Sequence, residues 1–313
     1  MQDKYNVVIM ATKKNLDMLR IMIPYCWKNL DAKAIYVVAN ENISDQVRNI
    51  DGVCYFDESK VYSGLTYDGI AEILKEIIGD GRRAGWYLQQ FLKMAWCYID
   101  EAEDYVVIDA DTIPLNPILF KNNGEYLFTR KIECHKPYFE TLNRLFNGKI
   151  YRKEDYSFIA EHMMFNSDYM AEIISSIEQN DSIKGNSFFE KILYSISPAD
   201  IGYSGFSEFE TYGNYMQIMH PDKVNIRRLR TQREAGVLLG NSPSKEQLLW
   251  AQKDYDIISI EDSDYKTTLA ILLSKNKVFR KFVSMKTMAH VRSLVRNFYR
   301  RLIKKESYTY EEN

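Results

Sequence analysis

Cysteine is scarce in this 313-residue chain: Cys26, Cys54, Cys97 and Cys134 are its four, set far apart and without a C-x-x-C pair. That excludes a disulfide-stapled scaffold and a cysteine-based zinc or redox centre, and it fits ordinary thiols in a reducing compartment. Apolar runs are short. None approaches the ~18 residues of a membrane-spanning helix, and Val7 to Ala11 is too brief for a signal-peptide core, so a cytoplasmic protein is expected. With only 7 Pro and 14 Gly against 46% hydrophobic residues, the composition excludes collagen-like and low-complexity chains. It is enough apolar material for one large α/β domain or two small ones.

Net charge is also small, at −2, but this average hides a split. Between Lys275 and Lys305 there are eleven basic residues and no Asp or Glu, whereas the chain before position 275 holds 30 basic and 40 acidic residues. An acidic body with a basic arm points to an anionic surface. Within the arm, Val278, Phe279, Phe282, Val283, Val291, Leu294, Val295, Phe298 and Leu302 recur at spacings of three and four. This is the pattern of a basic amphipathic helix that lies on an anionic membrane, or whose stripe packs on the body instead. Nucleic acid is not expected as a partner, because the body is acidic and carries no recognition motif. The expected division is a globular domain over 1–270 and a basic helical tail over 271–313, the protein being peripheral at the inner face of the cell membrane.

The body alternates. Tyr5 to Ala11, Ala34 to Ala39 and Val53 to Phe56 read as buried strands, with helical spacing from Leu16 to Trp27 and from Ile70 to a Gly79-Asp80-Gly81 stop. Gly85 to Ile99 reads as a further helix and Tyr105 to Ile108 as a fourth strand. The fold class is therefore α/β with a mostly parallel central sheet flanked by helices, in which ligands bind beyond the carboxyl ends of the strands. After a strand at Glu125 to Thr129, helices are expected at Tyr138 to Phe146, Tyr169 to Gln179 and Phe188 to Ser195. Loops are expected at Ser157 to Asn166 and Gly202 to Asn214, with one domain to about residue 270.

Asp109 and Asp111 flank Ala110 at the end of the fourth strand. In an extended segment alternate residues point the same way, so both carboxylates could reach one point and hold Mg²⁺ or Mn²⁺ together with substrate phosphates. Strand, D-x-D and Thr112-Ile113-Pro114-Leu115 resemble the metal-binding segment of GT-A nucleotide-diphospho-sugar glycosyltransferases. GWYLQQFLKM, DYVVIDADTIPL, EHMMFN and FSEFETYGNYM, spanning residues 85 to 216, together resemble a bacterial family of glycosyltransferase-like proteins associated with surface polysaccharides.

That resemblance implies a metal-dependent, inverting transfer from a nucleotide-sugar, a UDP-sugar foremost, to a saccharide or lipid-linked acceptor. Asp109, Ala110 and Asp111 would meet the cation and donor diphosphate, with His220 as a further metal ligand. Ala11, Thr12, Asn40 and Glu41 would lie against the base and ribose. Trp86, Gln89, Gln90 and Lys93, which share part of one helix surface, would face donor sugar and diphosphate, or else form a solvated face. His162 would touch a sugar, and Arg227, in a cluster with Arg228 and Arg230, would meet phosphate. Glu208, ahead of Glu210, is the candidate base: a carboxylate among Phe206, Phe209, Tyr212 and Tyr215 has its pKa raised by desolvation. Two other readings stand beside this one. A haloacid-dehalogenase-type phosphatase also places D-x-D after a strand, but normally after the first strand and with Thr or Val where Ile113 stands. The other is a non-catalytic sugar-nucleotide or polysaccharide-binding scaffold.

Overall fold

Val7, Val8 and Ile9 are β-branched and fully buried, and they form the middle of the first strand. A computed structural model describes residues 4–100, 102–261 and 268–309, with side chains as far as residue 298. The chain begins with β1 (Tyr5–Met10), α1 (Leu16–Asn29), β2 (Ala32–Ala39), α2 (Ser44–Arg48), β3 (Cys54–Asp57), α3 (Tyr67–Ile78), α4 (Ala84–Ala95) and β4 (Asp104–Ile108). It continues through β5 (Thr112–Pro114), β6 (Lys121–Asn122), β7 (Glu125–Thr129), α5 (Lys136–Leu145), β8 (His162–Asn166), α6 (Ser167–Glu178), α7 (Phe188–Ser195), α8 (Pro198–Ile201) and α9 (Glu208–Met219). The last elements are β9 (Val224–Arg227), β10 (Thr231–Gln232), α10 (Gly236–Leu239), α11 (Lys245–Ala251), β11 (Ile257–Ser259), α12 (Thr268–Lys275), α13 (Phe279–Phe282) and α14 (Met285–Thr309).

Two compact units result, one of Met1–Ala110 with Ile118–Arg228 and the other of Asp111–Pro117 with Leu229–Asn313. In the first, the central sheet has the order β3-β2-β1-β4-β8; its first four strands are parallel and β8 is antiparallel to β4. The α/β class and mostly parallel sheet are those expected. The chain moves outward from β1 to β2 to β3, and then β4 returns to the other side of β1. In open sheets such a reversal is where a ligand crevice is expected, here at the carboxyl ends of β1 and β4. Ala11 and Thr12 follow one of those ends and Asp109 the other. A smaller sheet, β6-β7-β9, completes this unit.

Local signals set several boundaries. Thr66 accepts a hydrogen bond from the Gly69 amide to start α3, and Gly79, at φ 72°, ends it in the left-handed conformation. The segments expected to be loops differ. His162–Asn166 is the fully buried strand β8, and most of the supposed loop at Gly202 to Asn214 belongs to α9, capped by the Ser207 hydroxyl on the Glu210 amide.

The second unit holds the sheet β10-β11-β5, in which β5 pairs antiparallel with β11 across more than 140 residues of chain. By its contacts the chain divides at Arg228, and the start of the basic tail belongs to this second unit. Ser274 is tied to Gln247, the Trp250 indole donates to the Val283 carbonyl at 2.9 Å, and Met285 and Met288 are buried. No described helix is long and apolar enough to cross a membrane.

Candidate active site

At the crevice, α4 presents Lys93 beneath the carboxyl end of β4. Its Nζ lies 2.5 Å from Asp109 Oδ1 and 2.8 Å from Glu208 Oε1, and 4.6 Å above the Phe209 ring. Lys93 and Glu208 expose only 3% and 4% of their side chains, whereas Asp109 exposes 30%. Burial by itself would pull the Lys93 pKa down, but Asp109 and Glu208 outweigh it and hold the ammonium above its ordinary value. One buried cation therefore ties Asp109, at the end of β4, to the start of α9.

The surroundings of Glu208 follow from this. As placed, it is the counter-ion of Lys93 rather than a base open to an acceptor hydroxyl. Burial raises its carboxyl and Lys93 opposes the rise. Glu210 points elsewhere: it accepts from Ser157 Oγ at 2.5 Å, from the Phe158 amide at 3.1 Å and from Asn214 Nδ2 at 3.1 Å. Desolvation nonetheless pushes its pKa up to about 7. It fastens α9 to the segment before β8, so a place for it beside the reacting atoms is not supported by its contacts.

A second polar chain begins one residue away. The Asp109 amide donates to the Glu161 carbonyl at 2.9 Å, and Ile108 pairs with His162 across β4 and β8. His162 Nε2 lies 3.3 Å from Thr129 Oγ1, which also accepts from Arg227 Nε at 3.1 Å. His162 is 2% exposed. Burial, aided by Arg227 and Lys131, pushes its pKa well below the ordinary value, so it is a neutral link under the site rather than a surface touching sugar. The Arg227 guanidinium also bonds the Leu119 carbonyl and lies 5.1 Å from the Phe120 ring. No carboxylate among the described residues neutralises it, and burial lowers its pKa to about 10.

Glu161, Lys131 and Thr129 were not singled out by sequence reasoning. Glu161 is a non-glycine residue at φ 47°, and it pairs with Lys131 at 3.3 Å. The only trace in the sequence is a charged residue immediately before an apolar strand.

Other expected residues are placed as follows. Gln90 is buried and donates to the Trp86 carbonyl at 3.3 Å, while Gln89 and Trp86 are half-buried, Trp86 under the Arg83 guanidinium at 4.4 Å. Burial of Gln90 and Lys93 rules out a solvated face. Ala11 is buried, and Thr12 is folded onto Asn15 in a capping box. Asn40 accepts from the Asn42 amide and donates to Glu58 at 2.9 Å, and Glu41 is exposed.

Two metal expectations change. The chain turns at Ala110 and Asp111, so the extended geometry that would aim both carboxylates the same way is absent. His220 caps the far end of α9, about 18 Å along the helix from Glu208. There it bonds Glu172 at 3.0 Å and lies against Tyr169, away from Asp109. Among the described residues no three His, Cys, Asp or Glu side chains are gathered for one metal ion. Two part-exposed carboxylates one residue apart remain. Mg²⁺ commonly takes one or two carboxylates when substrate phosphates and water fill its shell, so the donor chemistry of two Asp residues fits such an ion.

No protein-family model matches the sequence, and no curated protein matches it. Among solved structures, mouse xyloside xylosyltransferase 1 aligns over 84% of this chain and 99% of its own, at 13% identity and a TM-score of 0.43. The bifunctional glycosyltransferase WbbM aligns over 93% of this chain and 52% of its own, at 13% identity and a TM-score of 0.47. The galactosyltransferase LgtC, solved with donor and acceptor sugar analogues, aligns over 82% and 87%, at 11% identity and a TM-score of 0.42. These are likenesses of chain path at low identity, and no residue role is taken from them.

Proposed function

We propose that this protein is a glycosyltransferase that moves a sugar from a nucleotide-diphospho-sugar, with a UDP-sugar favoured, to a hydroxyl of a saccharide or lipid-linked acceptor. The setting proposed is the assembly of a bacterial surface polysaccharide. The observation that carries this reading is the buried Lys93 ammonium shared by Asp109 and Glu208 at the point where the sheet reverses. Lys93 would supply positive charge beneath a diphosphate at that point, and the Arg227 guanidinium, with no carboxylate partner among the described residues, belongs to the second polar chain that begins at the Asp109 amide.

Asp109 and Asp111 would hold Mn²⁺ or Mg²⁺. When bound, the cation offsets charge on the departing diphosphate. Lys93 supports the same charge from beneath, and Trp86, Gln89 and Gln90 shape the α4 side of the pocket. Thr12, Asn40 and Glu41 border the base and ribose. Inversion is the proposed course. Glu208 accepts the acceptor's proton only in a state where Lys93 has turned from it to the donor phosphates, since an ion-paired carboxylate is a poor base.

Release of nucleoside diphosphate from a panel of nucleotide-sugars with Mn²⁺ tests the reading. Turnover is expected for at least one donor, with Asp109→Asn and Asp111→Ala each lowering it by about 100-fold or more. Nucleotide binding without turnover across donors and acceptors would sink the proposal in favour of a scaffold. Inorganic phosphate released from simple phosphoesters would indicate a phosphatase.

A further inference from the structure

Helix α14 has two unlike faces along its described residues. Met285, Met288, Arg292 and Arg296 follow one another at spacings of three and four, so they share one face. The two methionines are buried, and both arginines reach Glu234, at 3.2 Å and 3.3 Å. This face is docked on its own unit. Val291, Leu294 and Val295 lie on another face, turned away by roughly a third of a revolution at ~100° per residue. They expose 53%, 55% and 49% of their surface. Val278 and Phe282, just before the helix, are exposed at 63% and 84%.

Such a stripe needs an occupant, and charge indicates which. Lys275, Lys277, Lys281 and Lys286 belong to the same stretch of chain, are exposed and have no acidic partner among the described residues. Glu234 takes up only the two arginines of the docked face. A second copy seated on the stripe through a two-fold axis would bring two segments of the same positive sign together, which opposes association. An anionic lipid surface matches both features, the apolar stripe entering the acyl boundary and the flanking lysines meeting head groups.

We propose that the stripe of Val291, Leu294 and Val295, with Val278 and Phe282, is a docking surface for an anionic lipid bilayer, and that α14 lies in the bilayer plane with its methionine face held by the protein. The inference stands apart from the transferase reading, because none of these residues belongs to the crevice.

Co-sedimentation of the full chain with phosphatidylcholine vesicles, with and without phosphatidylglycerol, tests it. Sedimentation is expected with the anionic vesicles only, weakening as salt rises. Val291→Asp/Leu294→Asp is expected to weaken partition by roughly tenfold or more at an unchanged Tm. Lys281→Glu/Lys286→Glu, two exposed positions that do not threaten folding, should weaken it by a similar factor. Failure of the wild-type chain to sediment with anionic vesicles overturns the proposal, as does equal sedimentation of either variant. A wild-type dimer dissociated by Val291→Asp/Leu294→Asp would assign the stripe to a second copy instead.

Discussion

Lys93 Nζ stands 2.8 Å from Glu208, and neither side chain exposes more than 4% of its surface, so each is the condition for burying the other. Lys93→Met would leave Glu208 buried and uncompensated, at a cost of about 3–5 kcal/mol. Lys93→Met/Glu208→Leu removes both charges and should recover most of that loss while leaving donor turnover abolished. Urea unfolding of the two single variants and the double variant measures the coupling. Additive single effects would show that the pair does not support the fold as a unit.

Parts of this arrangement were legible in the sequence and parts were not, for physical reasons. The strands carrying Ala11 and Asp109 are short apolar runs between helical patterns, and the D-x-D stands where the fourth run ends. Lys93 was visible as a polar exception on an apolar helix, but its burial was not. Its partners lie 16 and 115 residues away, and periodicity reports only which residues share a face. The period of helix α9 is hidden because Glu208 through Gln217 are all buried; a helix covered on every side has no polar face to display it. The second unit is not encoded locally for a related reason. Its strand β5 is three residues long and finds β11 across 147 residues, a pairing that no local pattern encodes.

Glu210 makes stability depend on pH. Its pKa in the folded protein, about 7, lies above the ordinary carboxylate value, so the folded state holds a proton that the unfolded chain has lost between about pH 4.5 and 7. Stability from this group therefore falls as pH rises through that window, by about 3 kcal/mol at most. Glu210→Gln cannot ionise, and the difference between its unfolding free energy and that of the wild type should change with that slope. A constant difference from pH 5 to 7 would mean that the three donors around Glu210 keep it ionised throughout.

If Arg227 meets donor phosphate as proposed, its loss should cost affinity more than stability. Its half-buried guanidinium has two neutral oxygen partners, Thr129 and the Leu119 carbonyl, and no carboxylate among the described residues. Arg227→Met removes a desolvated charge while keeping much of the packing on Phe120, so stability should stay within about 1 kcal/mol of the wild type. Affinity for a nucleoside diphosphate should fall by roughly 10–100-fold, the value of a charge-assisted phosphate contact. Calorimetric titration with UDP reads the second quantity and thermal melting the first. Unchanged affinity together with lost stability would make Arg227 a structural residue.

Gly213 sets how closely α9 approaches the segment before β8. A Cβ there would stand 2.3 Å from Phe158 Cδ2 and 2.5 Å from its Cγ, distances that packed carbon atoms do not tolerate. Phe158 is fully buried against Phe128 and Tyr156, so the ring has little room to move. Gly213→Ala should therefore cost about 2 kcal/mol or more, even though alanine is the better helix former by about 1 kcal/mol. Because Glu210, one turn earlier, also binds Ser157 and the Phe158 amide, the shift should pass along α9 to Glu208 and loosen its hold on Lys93. Gly213→Ala/Phe158→Leu opens space for the new methyl group, and it should regain activity along with part of the stability. If the single variant melts with the wild type, the close approach of α9 is not a constraint on the site.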